Sequence, residues 1–505
     1  MDSLNMLLSG FGEAVSPLNL LIAALGAAIG TFVGVLPGLG PTSAIAILLP
    51  MTAVIAPDQG IIMMAGIYYG AMYGGSTTAI LLNIPGETSS VPTCLDGYPL
   101  AKQGKAGAAL GVAAIASFTA GLIGLVGLVF FAPLLADQAL KFGPPEYFAL
   151  MILALAVTVN MTGYSLVKSL IMGAFGFLVS FVGLGASSGV PRFDFGIDSW
   201  VGGIEMTSVL IGLFALTEVF KGIEEKRAAV KQEKIGRSYP SLAELRQTSG
   251  PMLRGGLIGF VLGLLPGCSP TVTSFLSYDV EKKISKNRAR FGKGAIEGVA
   301  APEAANNATS SAGFIPLLAL GIPASPPLAV LLAGLMIYGM EPGPLLFEKN
   351  AGFVWTVIAS MFIGNLFLLI LNLPMVGLWA KLTKVPFQVM GPLILLISFI
   401  GSYSVRNSLF DVGVTLFFGA LGYLFHKFHW PVIPFILCLV LGPMLETSFI
   451  QSVQISGGSL AIFVTHPISL TILVAAALLL AVSIVLMQRT KRRLHQEGVH
   501  ELEIV

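Results

Sequence analysis

Charged residues are scarce in this chain, and their scarcity excludes a soluble globular protein. Only 11% of the 505 residues are Asp, Glu, Lys or Arg, whereas a soluble domain carries about 25%. Hydrophobic residues make up 55% and the mean hydropathy is +0.86. Several windows exceed the ~20 apolar residues that span a bilayer. The chain is therefore predicted to be an all-α polytopic membrane protein with about eleven or twelve transmembrane segments.

Cysteine is also rare, and catalytic motifs are missing. Cys94, Cys268 and Cys438 lie far apart and form no CxxC pair, so neither a disulfide framework nor a zinc site is indicated. No HExxH motif occurs, and the SxxK motif at residues 165–168 lacks the motifs that accompany it in β-lactamases. We predict that the protein is not an enzyme, needs no cofactor and holds no structural metal.

The N-terminus lacks the basic residues of a cleaved signal peptide. It carries Asp2 and Glu13 before and beside its first apolar run, so we expect this span to be retained, with the N-terminus on the periplasmic side. Basic residues instead cluster in loops beside apolar spans, notably residues 222–254 and 488–505. These two segments are predicted to be a cytoplasmic loop and a cytoplasmic tail, and no nucleic-acid partner is indicated.

Glycine and proline, by contrast, are abundant and form a repeated pattern. The stretch GTFVGVLPGLGPTSAI at residues 30–45 resembles GFVLGLLPGCSPTVTS at residues 259–274. A constant offset of 229 positions relates Gly30 to Gly259, Gly34 to Gly263, Pro37 to Pro266, Gly38 to Gly267, Pro41 to Pro270 and Thr42 to Thr271. This pattern predicts two related membrane halves, residues 1–221 and 255–487.

Charges beside the two stretches predict that each is a re-entrant hairpin. Both flanks of the second stretch are basic, which favours a hairpin at residues 255–279 that enters and leaves by the cytoplasmic face. The flanks of residues 17–56 are acidic, which suits a hairpin entering from the other side. Opposite entry faces are typical of inverted-topology repeats in transporters.

The hairpin tips are candidate anion sites. Glycine permits the tight turn, proline suits the first turn of a new helix, and a neighbouring Thr, Ser or Gly can cap it. The backbone N–H groups and the positive end of such a helix can bind an anion without a formal charge. The alternative is a pair of ordinary proline kinks, which the duplication makes the less favoured interpretation.

Two polar stretches accompany the tips, at residues 68–90 and 301–325. Each joins a cluster of hydroxyl groups to a helix break, and NIPG at residues 83–86 and GIPA at residues 321–324 are weak counterparts. Such groups suit carboxylate oxygens or Na⁺, although small polar residues also simply allow close helix packing. We expect Glu87 and Glu297 to be solvated at the membrane interface, whereas Glu303 is equally compatible with burial.

These motifs resemble the large membrane subunit of the bacterial tripartite tricarboxylate transporters, the TctA family. The likeness rests on GTFVGVLPGLGPTSAIAILLP, YYGAMYGGSTTAILLNIPGE, LLPGCSPTVTSFLSYDVEKK and APEAANNATSSAGFIPLLALGIPAS. The resemblance implies a secondary transporter of the bacterial inner membrane, driven by Na⁺ or H⁺. It also implies a small membrane subunit, a periplasmic solute-binding protein, and a di- or tricarboxylate substrate such as citrate.

The predicted substrate site lies between the two hairpin tips. Its candidate residues are Gly38, Gly40, Pro41, Thr42, Ser43, Asn83, Gly267, Ser269, Pro270, Thr271, Asn306 and Asn307. The candidates for cation coupling are Ser76, Thr77, Glu303, Thr309 and Ser310. Opposed re-entrant hairpins also build channel pores, so a channel for small anions is the alternative function.

Overall fold

The computed structural model describes residues 2–36, 39–52, 55–161, 165–185, 189–224, 239–265, 267–382 and 387–496. Helices dominate this part of the chain. Its strands are two residues each, Gly183–Leu184 (β1) and Pro191–Arg192 (β2), and they pair antiparallel, with Gly183 opposite Arg192. The described residues thus confirm the predicted all-α class.

The helices follow one another closely along the chain. The first half contains α1 (Asp2–Ala14), α2 (Pro17–Val35), α3 (Pro41–Thr52), α4 (Pro57–Leu82), a 3-10 turn (Thr88–Ser90), α5 (Val91–Lys102), α6 (Ala106–Ala139), α7 (Pro144–Met161) and α8 (Leu166–Ser180). After the strands come α9 (Asp198–Val201), α10 (Met206–Leu210), a π-helical stretch (Ile211–Leu216) and α11 (Thr217–Glu224).

The second half has the same character. It contains α12 (Leu242–Gly263), α13 (Pro270–Ile284), a 3-10 turn (Arg288–Arg290), α14 (Glu297–Ala312), α15 (Phe314–Leu320), α16 (Pro326–Ile337), α17 (Pro344–Lys349) and α18 (Ala351–Asn372). These are followed by α19 (Val376–Leu382), α20 (Phe387–Arg406), α21 (Leu409–Lys427), α22 (Val432–Ile455), α23 (Ile462–Thr465) and α24 (Pro467–Gln496).

Seven helical spans among the described residues are long and apolar enough to cross a membrane. They are Pro17–Val35, Ala106–Ala139, Met206–Glu224, Ala351–Asn372, Gln388–Arg406, Leu409–Lys427 and Val432–Ile455. Five shorter apolar helices accompany them: α3, α7, α8, α16 and α24. Length and composition therefore support a multi-pass membrane protein.

The chain divides into two compact units. The first comprises Met1–Ala139 and Thr207–Ala420, and the second comprises Leu140–Met206 and Leu421–Val505. Each unit draws on both of the predicted halves. In the second unit α22 packs on α7 and α8, and α7 also packs on α24.

Glycines allow α2 to pack very closely against α4 in the first unit. A Cβ atom at Gly26, Gly30 or Gly34 would lie 2.6, 2.3 and 2.3 Å from a backbone oxygen of α4. Small residues permit this approach between membrane helices. The oxygens belong to Met63, Ile67 and Ala71 respectively.

An equivalent set of glycines packs α12 against α14. A Cβ atom at Gly255, Gly259 or Gly263 would lie 2.3, 2.2 and 3.0 Å from the backbone oxygens of Ala301, Ala305 and Thr309. The two glycine triplets are 229 positions apart in the sequence. The residues that they contact are 238 positions apart, and Met63 and Ala301 are the first corresponding pair.

The ends of α4 and α15 are also related by 238 positions. Asn83 follows α4 with a φ of 59°, and Gly321 follows α15 with a φ of 73°. The next residue in each case, Ile84 or Ile322, bonds back to a carbonyl six positions earlier, at N–O distances of 3.4 and 3.2 Å. This closure is typical of a left-handed helix end, and asparagine tolerates the conformation better than most residues.

Prolines and glycines break the apolar stretch at residues 308–340. The stretch is divided among α14, α15 and α16, with the main break at residues 321–325. Upstream, α12 begins at Leu242, inside the segment predicted as a cytoplasmic loop. A reciprocal capping box starts this helix, because Ser241 and Glu244 each bond to the backbone N–H of the other.

Candidate functional site

Both predicted hairpin tips are followed by helices that start with proline. Pro41 begins α3 and Pro270 begins α13. Gly267 has a φ of +82°, which the tight turn before α13 requires. Gly38 lies outside the described residues, as do Pro37 and Pro266.

The start of α13 lacks the side-chain cap that the sequence suggested. Ser269 occupies the N-cap position but makes no capping hydrogen bond. The first N–H groups of an α-helix have no partner within the helix. At Thr271 the side chain instead lies 2.7 Å from the hydroxyl oxygen of Thr88, which belongs to the segment after α4. The first N–H groups of α13, which have no partner within the helix, and two hydroxyl groups therefore lie together at this tip.

The two tip helices have different neighbours. Helix α3 packs on α4, α16 and α20, whereas α13 packs on α12, α14 and the 3-10 turn Thr88–Ser90. At the first tip, Ser43 is buried and Gly40 has open space around the position of a Cβ atom. Thr42 is partly exposed beside it.

A second site, deep in the first unit, is organised around Glu303 of α14, which is fully buried. Its Oε2 atom accepts hydrogen bonds from Ser76 of α4 at 2.6 Å, Asn306 at 3.4 Å and Ser117 of α6 at 3.5 Å. Its Oε1 atom accepts one from Thr93 of α5 at 2.5 Å. Four helices thus direct neutral donors at one carboxylate.

The sequence of α14 explains how this carboxylate reaches the interior. Every residue of α14 is buried, and its alanines allow close contact with α6 and α12. The polar residues Glu303, Asn306, Asn307 and Ser310 recur at helical spacing and so share one face. Asn307 donates to the Glu303 carbonyl oxygen at 3.1 Å and also to the Asn306 side chain.

Two of the predicted cation-coupling residues have other partners. The Thr309 hydroxyl lies 2.8 Å from that of Thr273 on α13 and 3.0 Å from the Gly259 carbonyl oxygen of α12. Ser310 donates to the Asn306 carbonyl oxygen at 2.8 Å. The structure therefore brings Ser76 and Glu303 together, whereas the Thr309 and Ser310 hydroxyls bond elsewhere.

A small cavity lies beside Glu303, between α4, α6 and α18. Its volume of about 10 Å³ is close to the space of one water molecule. Thr77, another predicted coupling residue, is among its lining residues. The lining is Tyr73, Ser76, Thr77, Leu110, Ala113, Ala114, Ser117 and Asn372.

The expectation that Glu87 and Glu297 are solvated was wrong. Glu87 is buried and caps the 3-10 turn, accepting from the Ser89 N–H at 2.7 Å. Glu297 is 4% exposed and accepts from the Asn287 side chain at 2.8 Å. Local donors allow both carboxylates to be buried. Asn83, a predicted substrate residue, is exposed and ends α4.

Sequence reasoning missed several residues of the buried site. Thr93, Ser117 and Asn372 were not singled out, and neither was Asp96. The Asp96 carboxylate is fully buried and accepts the N–H groups of Gly294 and Ala295 at 2.8 Å each, as well as the Tyr278 hydroxyl. A lone polar residue within an apolar run was the available signal.

The fold and the buried polar site define a multi-pass membrane protein with an internal polar centre. The chain belongs to the tripartite tricarboxylate transporter TctA family, whose model matches residues 20–437. This confirms the family suggested by the motifs. The chain is thus a subunit of a transporter that has further subunits.

Two similar proteins come from Agrobacterium vitis. The "Uncharacterized 52.8 kDa protein in TAR-I ttuC' 3'region" is 43% identical over 493 residues, which cover 97% of this chain and 98% of that protein. The "Uncharacterized protein in TAR-II ttuC' 3'region" is 46% identical over 215 residues, 43% of this chain and 89% of that protein. No solved structure matches the chain.

Proposed function

We propose that the chain is the large permease subunit of a secondary transporter that imports di- or tricarboxylates, such as citrate, together with Na⁺ or H⁺. The observation that carries this proposal is the uncapped start of α13. It offers N–H groups that have no partner within the helix, beside the Thr271 and Thr88 hydroxyls. In a family of tricarboxylate transporters, a neutral anion site of this kind suits a carboxylate.

The two halves are proposed to be inverted repeats with one re-entrant hairpin each. The glycine triplets and their matching close contacts support a duplication, as do the related helix ends at Asn83 and Gly321. The basic loop before α12 and the acidic N-terminal region favour opposite entry faces. Such repeats place substrate sites near the bilayer midplane.

Coupling to a cation is proposed to depend on Glu303. A carboxylate inside a membrane protein is costly and commonly marks an ion or proton pathway. All four of its side-chain donors are neutral, so none of the described hydrogen bonds gives Glu303 an ionic partner. A cation that enters with the substrate would balance the charge of an ionised Glu303.

The proposed assembly lies in the bacterial inner membrane. It includes a small membrane subunit and a periplasmic solute-binding protein that delivers the substrate, as the family name implies a tripartite system. The basic residues of the C-terminal tail favour a cytoplasmic C-terminus, and the acidic N-terminal segment favours a periplasmic N-terminus.

Uptake into proteoliposomes tests the proposal. The chain is reconstituted with its small partner subunit, and labelled citrate and a panel of dicarboxylates are supplied with and without the binding protein and an inward cation gradient. We expect saturable uptake that requires both. Passive, non-saturating flux that is indifferent to the binding protein would support the channel alternative instead.

A further inference from the structure

We propose that the cavity between α4, α6 and α18 is the binding site of one Na⁺ ion. This inference rests on the proposed function in one respect, because it takes this ion to be the one coupled to transport. Oxygen atoms of neutral side chains would hold the ion, with the Glu303 carboxylate adjoining them. The candidate ligands are the side-chain oxygens of the polar lining residues Ser76, Thr77, Ser117 and Asn372.

An unsatisfied acceptor at Asn372 points to a missing ligand. This side chain is 5% exposed, and its Oδ1 atom is buried with no hydrogen-bond partner among the residues that the structure describes. The orientation of the amide is fixed by its other end, because Nδ2 donates to the Leu368 carbonyl oxygen at 3.0 Å, and a carbonyl can only accept. Buried amide oxygens are nearly always paired, so this one requires an explanation.

An ionised Glu303 carboxylate would balance the positive charge of a bound Na⁺ ion. Ser76 and Ser117 donate their hydroxyl hydrogens to its Oε2 atom, and both residues line the cavity. Donation in that direction leaves the lone pairs of the hydroxyl oxygens available to an ion. No ion pair between Glu303 and a basic side chain occurs in the described part of the chain.

The size and chemistry of the cavity select the ligand. About 10 Å³ accommodates a single ion or water and excludes a carboxylate substrate. Hard cations prefer oxygen ligands of the hydroxyl, amide and carboxylate types found here. The Na⁺ site is therefore separate from the substrate site at the tips, and Thr309 and Ser310 do not belong to it.

Binding of Na⁺ alone, without substrate, tests this site. The purified full-length protein is titrated with NaCl at constant ionic strength against choline chloride. Both ²²Na⁺ binding and the thermal unfolding temperature are measured. We expect saturable binding and a Na⁺-dependent rise in unfolding temperature. An unfolding temperature that responds equally to choline, with no saturable ²²Na⁺ binding, would overturn the proposal.

Substitutions assign the ligands. Asn372→Leu removes the free oxygen and should weaken Na⁺ binding about 10-fold or more, as loss of supporting ligands does at other metal sites. Glu303→Gln should abolish it. Ser117→Ala should weaken binding, whereas the matched Ser311→Ala should not, because the Ser311 hydroxyl donates to the Asn307 carbonyl oxygen at 3.0 Å. Unchanged affinity in both Asn372→Leu and Ser117→Ala would refute the site.

Two further measurements keep the result interpretable if a variant fails to fold or if only one of the two proposals is wrong. If Asn372→Leu does not fold, Asn372→Asp keeps an oxygen at the same place and should retain Na⁺ binding. Citrate uptake is measured in parallel, so that the two proposals can fail separately. Na⁺ binding with uptake driven only by a proton gradient would support the site and refute Na⁺ symport. The double variant Ser117→Ala, Asn372→Leu is measured in the same way. If it binds Na⁺ with normal affinity and its uptake still depends on Na⁺, symport is supported and the site is refuted.

Discussion

Replacing Gly259 by alanine should disrupt the packing of α12 on α14. The added Cβ atom would lie 2.2 Å from the Ala305 carbonyl oxygen and 2.9 Å from the Cα atom of the same residue. Ordinary van der Waals contacts begin at 3.4 Å. The obstructing atoms belong to the backbone, so no side-chain rotation relieves the overlap, and the helices would have to separate by about 1 Å.

The expected loss of stability follows from this overlap. Inserting a methyl group into a well-packed interior costs about 1–3 kcal/mol, and separation of α12 from α14 would also loosen the contact of Thr309 with Gly259. Gly364 of α18 provides the matched control, since no described atom beyond its own stretch of helix lies within 4 Å of the Cβ position there. Gly364→Ala should be neutral or stabilise the helix by up to about 1 kcal/mol.

The free energy of unfolding, measured by SDS titration in mixed micelles, distinguishes the two variants. Gly30→Ala belongs in the same series, because its Cβ atom would lie 2.3 Å from the Ile67 carbonyl oxygen. We expect Gly30→Ala and Gly259→Ala to lower the free energy of unfolding by similar amounts. If Gly259→Ala proves as stable as Gly364→Ala, the argument from close backbone contact is refuted.

Three further predictions concern the polar residues. Thr271→Val keeps the shape of the side chain but removes its contact with Thr88, so we expect reduced citrate uptake at normal expression; unchanged uptake would remove Thr271 from the substrate site. Thr93→Val removes the 2.5 Å hydrogen bond to Glu303 and should cost about 1.5–3 kcal/mol of stability by SDS titration. Thr119→Val should cost less, because the Thr119 hydroxyl donates to the Ile115 carbonyl oxygen of its own helix. Asp96→Asn should lower thermal stability by about 1–3 kcal/mol, because an amide replaces a carboxylate oxygen that accepts a hydrogen bond; an unchanged unfolding temperature would contradict this role.

Local chemistry made much of the fold predictable from sequence. Proline at positions 41 and 270 marked the start of two helices because its ring suits the first turn. The glycine triplets were recognisable as a repeat. Their contacts with Ala301 and the other backbone oxygens were not predictable, because a spacing of four residues shows which side of a helix packs closely but not which helix packs against it.

The candidate site was less predictable. Ser76 and Glu303 were singled out, and the structure brings them together. Thr93 and Ser117 come from two other helices, and only tertiary packing places them on the same carboxylate. Asn372 lies at the end of an apolar helix, where a single polar residue usually ends the helix. Burial of Glu87 depended on a turn whose geometry the sequence did not specify.

The complete burial of α14 has a consequence for how the protein is made. This helix contains two glutamates and two asparagines within sixteen residues, and none of its side chains faces lipid. Polar groups of this kind are unfavourable in hydrocarbon without partners. Stable integration of α14 into the membrane therefore requires α4, α6 and α12 to be present there already. The polar centre can therefore form only after these helices have inserted, so we expect a defect there to lower the amount of folded protein as well as the rate of transport.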